Sequence, residues 1–241
     1  MKAKSTSLTM YHFDEGHHRE VCTWHDRDHK AEVIGAMPHV FISQRWVATP
    51  ELVAARPPST LEHHGGEYLN IYWSAGTASE LDEDFRQLDA RLRPLGRMEP
   101  MKYIQRTWGA RLRPLSLHVR PDVLLSPEAV VCAVQNTGLM IVIEDLQDSD
   151  RRDAYLRWLE SEQIPRVLET GLFSGAARLG AADGTSSVTY YYTDLPDPSA
   201  AYAAYREQEA AWNGFESADT VRQPIHSGMY LQSIGQYDYY P

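Results

Sequence analysis

The sequence predicts an α+β fold: two tandem ferredoxin-like β-α-β-β-α-β units whose sheets pack face to face as an α/β barrel. Three observations carry the prediction. The same order of strand-like and helical stretches occurs in both halves of the chain. Short matches set the halves in register: Trp24 with Trp158, Val33 with Val167, Arg45 with Arg178 and, one insertion aside, Tyr72 with Tyr192. The length, 241 residues, accommodates two units of about 120 residues each.

In the first half, the alternating run 7–13 (SLTMYHF) reads as a strand, and a helical stretch follows over 14–34. Residues 39–48 are again strand-like, whereas 49–67, rich in Pro, Gly and His, read as a loop. A third strand covers 68–74. Thr77 with Glu80 three residues on has the form of a capping box. Leu81, Phe85, Leu88 and Leu92 then share one helix face, and Pro94 and Gly96 stop the helix. A fourth strand, 101–112, completes the first unit, residues 1–112.

Residues 113–137 form a connector with three prolines and an extra strand over 130–134. The second unit, 138–241, repeats the order. Strand 138–146 is followed by a helix that Asp150 caps and Pro165 breaks or kinks, then by strands 172–179 and 187–195. Asp197-Pro198 opens a helix that Gly214 ends, and 228–240 forms the last strand. A four-stranded sheet with helices on one face leaves its other apolar face bare, and a second copy is the natural cover.

Composition limits the function. The net charge of −10 argues against broad nucleic-acid binding. The longest apolar run, 139–143, is far too short to span a bilayer. The first residues have no apolar core of the signal-peptide kind, and the only two cysteines, Cys22 and Cys132, fit a reduced cytoplasmic protein. Between Arg91 and Arg120 eight Lys/Arg stand against one acid, Glu99. That run reads as a surface paired with acids elsewhere, or as an anion site. Both a monomer and a homodimer remain open.

The candidate site centres on 24-WHDRDH-29. His25 and His29, four apart, share a helix face with Val21, and imidazole titrates near neutrality, as acid–base work requires. The matching segment, 158-WLESEQ-163, has Leu159 and Gln163 instead. No metal is expected: His25, Asp28, His29 and the pairs His17-His18 and His63-His64 do not complete a zinc motif. Strand tyrosines suit a pocket for a small apolar or aromatic ligand. Tyr72 and Tyr103 are second-tier catalytic candidates, and His39, Trp73, Tyr11 and Tyr192 are ligand-binding candidates. No phosphate loop, nucleophile elbow or Cys-x-x-Cys is present.

The pattern Trp-x-x-x-x-His, then Val-Ile or Val-Leu, then a strand ending in Arg plus an apolar residue, appears as 24-WHDRDH-29 with 33-VIGAMPHVFISQRW-46. It recurs without the histidine as 158-WLESEQ-163 with 167-VLETGLFSGAARL-179. It resembles the dimeric α/β-barrel superfamily and, within it, the EthD-like proteins. The resemblance implies a cavity between sheet and helices, and members that are cofactor-independent polyketide cyclases, lactone isomerases and quinone-forming monooxygenases. Tandem relatives in the same superfamily, chlorite-dismutase-like proteins and dye-decolorising peroxidases, bind haem. Only His29 matches the family's motif histidine. The expectation is a cofactor-independent enzyme doing proton-transfer chemistry of cyclase, dehydratase, isomerase or lyase type on a small aromatic or polyketide-like molecule. His29 would move the proton, aided by His25, and no cofactor would be bound. The alternatives are a cofactor-free monooxygenase of phenols, a haem-binding enzyme in which any of the ten histidines, His226 among them, is the axial ligand, and a non-catalytic binding protein.

Overall fold

The computed structural model describes residues 2–131, 133, 136–147, 150–181, 184–212, 214–215 and 221–232. The first half runs β1 (Ser5–Phe13), α1 (His18–Trp24), a π-helical turn (His25–His29), α2 (Lys30–Ala36), β2 (Val40–Val47), the short α3 (Pro50–Ala54), β3 (Tyr68–Ser74), α4 (Ala78–Leu92) and β4 (Ile104–Val119). A four-residue α5 (Pro127–Val130) leads to β5 (Gly138–Leu146). The second half continues through α6 (Arg152–Trp158), a second π-helical turn (Leu159–Gln163), α7 (Ile164–Glu169), β6 (Gly175–Ala181), β7 (Ser186–Thr193), α8 (Pro198–Trp212) and β8 (Arg222–Gln232).

Within each half the central strands are the first and third: β1 pairs with β3 and β4, and β5 pairs with β7 and β8, all antiparallel. The expected packing of two sheets face to face as an α/β barrel is corrected by the strand connectivity. All eight strands belong to one closed ring, ordered β1-β3-β2-β8-β5-β7-β6-β4. The halves are joined edge to edge, β2 to β8 and β4 to β6. The physical reason lies in β4. Residues 104–112 pair with β1, and the strand then runs on to pair residues 112–119 with β6. Pro114 lies beside a register shift between Pro114 and Ser116, an irregularity that lets a proline sit in the ladder without ending it. Joining edges satisfies the backbone groups that two stacked sheets would leave open.

Alternation along the strands divides the side chains. Leu8, Met10, Ile71 and Trp73 meet Leu139, Ile141, Tyr190, Tyr192 and Tyr230 in one apolar cluster inside the ring. The opposite faces of β1 and β3 look toward the helices of the first half, where Tyr72 packs with Val33, Leu81, Leu88 and Leu92. Each aromatic side chain buried there removes roughly 150–250 Å² from water, which makes this face a large apolar contribution.

The two π-helical turns sit at matching places. In each, the backbone N–H five residues on closes the turn: Lys30 to the carbonyl of His25, and Ile164 to that of Leu159. Pro165 follows the second turn, but Ala31 follows the first, so the widened turn does not need a proline. The extra strand expected over 130–134 falls partly outside the described residues, as do Cys132 and the end of the strand expected over 228–240. Basic residues of the 91–120 run pair with acids: Arg91 with Glu32, Arg97 with Asp28 and Glu32, Arg111 with Asp82, and Arg120 with Asp122. No helix among the described residues is long and apolar enough to cross a membrane.

Thr77 and Glu80 form the reciprocal cap. The Glu80 carboxylate accepts from the Thr77 N–H at 2.7 Å, and the Thr77 hydroxyl accepts from the Glu80 N–H at 3.3 Å. Thr77→Ala is expected to lower stability by about 1 kcal/mol. Chemical denaturation checks this, with the midpoint falling and the slope unchanged.

Candidate functional site

A cavity of about 330 Å³ opens between the first-half helices and the outer faces of β1, β3 and β4. Its apolar wall comes from Phe13, Val21, Trp24, Phe85, Leu88, Met98, Met101 and Ile104, and its polar lining from Ser7, Thr9, Asn70, Tyr72 and the two histidines of the π turn. Tyr11, Arg106, Arg111 and Asp89 complete it. The volume falls at the small end of ligand sites, about 300–1,000 Å³.

His25 is almost wholly buried, and both ring nitrogens are engaged. Nε2 lies 2.9 Å from the Asn70 amide nitrogen and 3.2 Å from the Tyr72 hydroxyl. An amide nitrogen only donates, so Nε2 is the acceptor and Nδ1 carries the proton. That N–H donates to Asp26 Oδ1 at 3.1 Å. Asp26 in turn is clasped side-on by Arg45, with Nε to Oδ1 at 2.9 Å and Nη2 to Oδ2 at 2.5 Å, while Arg45 Nη1 donates to the Cys22 sulfur at 3.0 Å. Burial pushes the Asp26 pKa up, but the hydrogen bonds from His25 and Arg45 outweigh it and hold the carboxyl at about 2. Burial also lowers the His25 pKa, so the ring is neutral at neutral pH.

His29 differs. Its ring stacks on Trp24 with centroids 4.7 Å apart, and its Nδ1 is buried with no hydrogen-bond partner among the described residues. Burial and the neighbouring His25 bring its pKa down to about 3. The Trp24 indole is itself fixed by an N–H···O bond of 2.7 Å to the Arg97 carbonyl. Tyr72 is held protonated by burial.

The structure thus brings together His25, His29, Tyr72 and Tyr11 from the sequence-derived candidates. The others lie apart from the cavity lining. The Tyr103 ring stacks on His17, with centroids 3.5 Å apart. His39 bonds Asp84 through Nδ1 at 2.9 Å. Trp73 and Tyr192 belong to the apolar cluster inside the ring, where alternation sends them away from the helices. Asn70 and the Asp26–Arg45 pair were not among the candidates. A signal existed for both: an amide inside the apolar strand 68–74, and an arginine repeated as Arg178. Among the described residues no group of three or more His, Cys, Asp or Glu gathers as metal ligands do.

The corresponding space in the second half is almost filled, about 40 Å³. Leu159 and Gln163 stand where the histidines would be. Tyr155, Tyr191 and Tyr205 crowd in around Glu144, which accepts from the Tyr155 hydroxyl at 2.8 Å and from Arg222 at 2.7 Å. The acid–arginine pair is retained as Glu160–Arg178, with Nε to Oε1 at 2.7 Å.

Haem can be tested against these two sites. It needs an axial donor, apolar walls and cationic groups for its carboxylates. In the first-half cavity, His25 presents an unprotonated Nε2 while its Nδ1–H is fixed on a carboxylate, the arrangement that orients metal-ligating histidines. Asn70 and Tyr72 satisfy that lone pair otherwise. The walls are apolar, and Arg106 and Arg111 stand among the lining residues. The donor set fits. The second half, without a histidine or the space, does not fit.

Asp26→Asn would leave the buried Arg45 guanidinium without its counter-charge and is expected to cost about 3–5 kcal/mol, read by denaturation. His29 titrates at about 6.5 unfolded and about 3 folded, so the unfolded state binds the extra proton between these values. Its contribution is complete above pH 6.5 and is lost as pH falls toward 3. His29→Gln is therefore expected to flatten the stability–pH curve across that window, and thermal melts over the range check it.

No protein-family profile matches the chain, and no curated protein does. Solved structures do match. A structure described as an anthrone oxidase-like protein shares 12% identity and a TM-score of 0.60, covering 96% of this chain and 92% of that one. A dye-decolorizing peroxidase from Bacteroides thetaiotaomicron shares 9% and 0.59, covering 99% and 94%. A heme-binding protein from Thermus thermophilus shares 10% and 0.54, covering 97% and 92%. A chlorite dismutase from Candidatus Nitrospira defluvii has the same fold. These likenesses correct the expectation of an EthD-like protein: over nearly the whole chain the shared arrangement is that of the peroxidase and chlorite dismutase structures. The cofactor-independent cyclase, dehydratase, lyase, isomerase or monooxygenase, with no cofactor bound, falls with it, because that expectation rested on the EthD-like resemblance. At such identities the likeness itself establishes the fold alone.

Proposed function

We propose that this chain is a haem-binding enzyme that oxidises a small aromatic substrate, in which the first-half cavity would hold the cofactor and His25 Nε2 would be its protein donor. The observation that carries the reading is the state of His25: a buried neutral imidazole at the cavity wall with its Nδ1–H on Asp26, whose Nε2 accepts from Asn70 and Tyr72, two partners that a cofactor would displace. Names of proteins sharing the fold, peroxidase, chlorite dismutase and heme-binding protein, support the choice of cofactor. Bound haem would supply redox-active iron for oxidation by peroxide.

The chain's own residues hold and orient. Arg45 keeps Asp26 ionised, Asp26 fixes the His25 tautomer, and both leave Nε2 as the donor. The Trp24–His29 stack and Phe85 supply flat aromatic walls. Tyr72, protonated because it is buried, donates to His25 Nε2 and would have that O–H for a substrate oxygen once Nε2 is taken by the cofactor, and His29 Nδ1, without a partner among the described residues, would bond a polar group on the substrate. Arg106 would be the cation for a carboxylate, Arg111 being already paired with Asp82. A second reading, a pocket that retains a small aromatic ligand without turnover, is favoured by the modest volume of about 330 Å³.

Titrating haem into the purified protein tests the first reading. A saturable Soret band is expected with one haem per chain. His25→Ala should abolish the axial-histidine spectrum, whereas His29→Gln should keep it. A variant of the second coordination sphere, Asp26→Glu, is expected to weaken haem affinity by about 10–100-fold. No Soret change, or one that His25→Ala leaves intact, would overturn the reading; binding of a phenol without haem would favour the second.

A further inference from the structure

Residues 97–102, between α4 and β4, lie against the first-half cavity as a strap. Met98 and Met101 line the cavity, whereas Pro100 lines an outer groove with Gly16, Arg19, Thr23 and Arg27. Trp24 belongs to both linings, so its indole is the partition between groove and cavity.

Side chains rather than backbone fasten the strap to the helices opposite. Its backbone N–H groups bond to near neighbours in the chain, Arg97 to the Leu92 carbonyl and Met101 to that of Met98, each at 3.2 Å. Among the described residues no backbone bond from the strap reaches α1, the π-helical turn or α2. Within it only Met98 is buried. The polar links across the gap all meet at Arg97. Its carbonyl accepts the Trp24 indole N–H at 2.7 Å, its Nη1 donates to Glu32 at 2.6 Å, and its Nε and Nη2 clasp Asp28, Nε at 3.2 Å. The Arg97 side chain is 35% exposed, so these ion pairs are open to screening by salt.

The two ends of the strap differ. Gly96 adopts left-handed backbone, φ 68°, with open space where a Cβ would stand, and so can serve as a hinge. Tyr103 is tied down, its ring on His17 and its carbonyl accepting the Asp14 N–H at 2.9 Å. A segment with little buried apolar surface and local hydrogen bonds opens more readily than the core.

We propose that residues 97–102 form a lid on the cavity, latched by Arg97. When Arg97 leaves Asp28 and Glu32, its carbonyl also leaves the Trp24 indole; the partition loses its polar anchor, and the outer groove joins the cavity. Glu32 holds Arg91 as well, at 2.6 Å, which keeps α4 docked while the strap lifts. The lid admits a ligand from the groove side, independent of whether that ligand is haem.

Hydrogen exchange of the purified protein without added haem, read by mass spectrometry, tests the lid. In the wild type, peptides over 96–103 should exchange faster than β3. Raising salt from about 0.01 to about 1 M shortens the Debye length from about 30 to about 3 Å and should speed them further relative to β3. Arg97→Gln keeps the backbone carbonyl and removes the charge. Trp24→Phe keeps an aromatic partition and removes the N–H. Each should speed exchange over 96–103 by about two- to fivefold, while β3 and the middle of α4 keep their rates. Strap exchange that neither salt nor Arg97→Gln alters overturns the lid, as does a rise that β3 shares equally, which is general loosening. The salt series on the wild type decides where a variant fails to fold.

Discussion

The guanidinium of Arg45, reaching from β2 to the π-helical turn, clasps both oxygens of Asp26 and thereby pins the helix onto the sheet. Glu160 and Arg178 tie helix to sheet in the second half, with Arg178 Nε and Nη2 both on Glu160 Oε1, at 2.7 and 2.6 Å. A buried ion pair of this kind adds little net stability over an apolar replacement, yet losing one partner is expensive. Its effect here is on position: it sets how the widened turn lies over the strands. In the first half the same carboxylate has a second task, since it accepts the His25 Nδ1–H and so decides which imidazole nitrogen faces Asn70, Tyr72 and the cavity. The site is an addition to a frame that both halves possess.

The halves then diverge in what fills the space beneath the turn. Where Ser7, Thr9 and Asn70 leave the first cavity open, Val142, Glu144 and Thr189 line a remnant that three tyrosines close. The buried Glu144 is satisfied by Tyr155 and Arg222. That network is satisfied internally, although Gln163 Oε1 beside it meets no partner among the described residues. His29 Nδ1, at the matching place in the open half, likewise meets no partner among the described residues, but it lines about 330 Å³ of space rather than about 40 Å³.

Much of the frame was legible from the residues alone. The repeat of Trp24 and Arg45 as Trp158 and Arg178 reported the duplicated unit, and the Thr77–Glu80 spacing reported a cap that forms as read. The closed ring was not legible. Pro114 reads as a break, and only the pairing of residues 112–119 with β6 shows the strand continuing past it. His25 and His29 could be picked out by their absence from the second copy. Their inequality could not be, because it depends on Asn70 and Tyr72, which reach His25 across the fold, and on Arg45, which orients the adjacent Asp26. Alternation also separates Tyr11 and Tyr72, beneath the helices, from Trp73 and Tyr192, inside the ring, but only once each strand's inner face is known. The cofactor expectation came from family resemblance and was corrected by the shared fold; local residue pattern carries no redox information.

Anomalous diffraction at the iron edge, from crystals of the haem-loaded protein, tests the central claim most directly. The account predicts one iron per chain in the first-half cavity, within ligation distance of His25 Nε2, with the His25–Asp26 hydrogen bond retained. Iron bound in the second half or to another histidine, or an empty first-half cavity in a protein that carries haem, would contradict it.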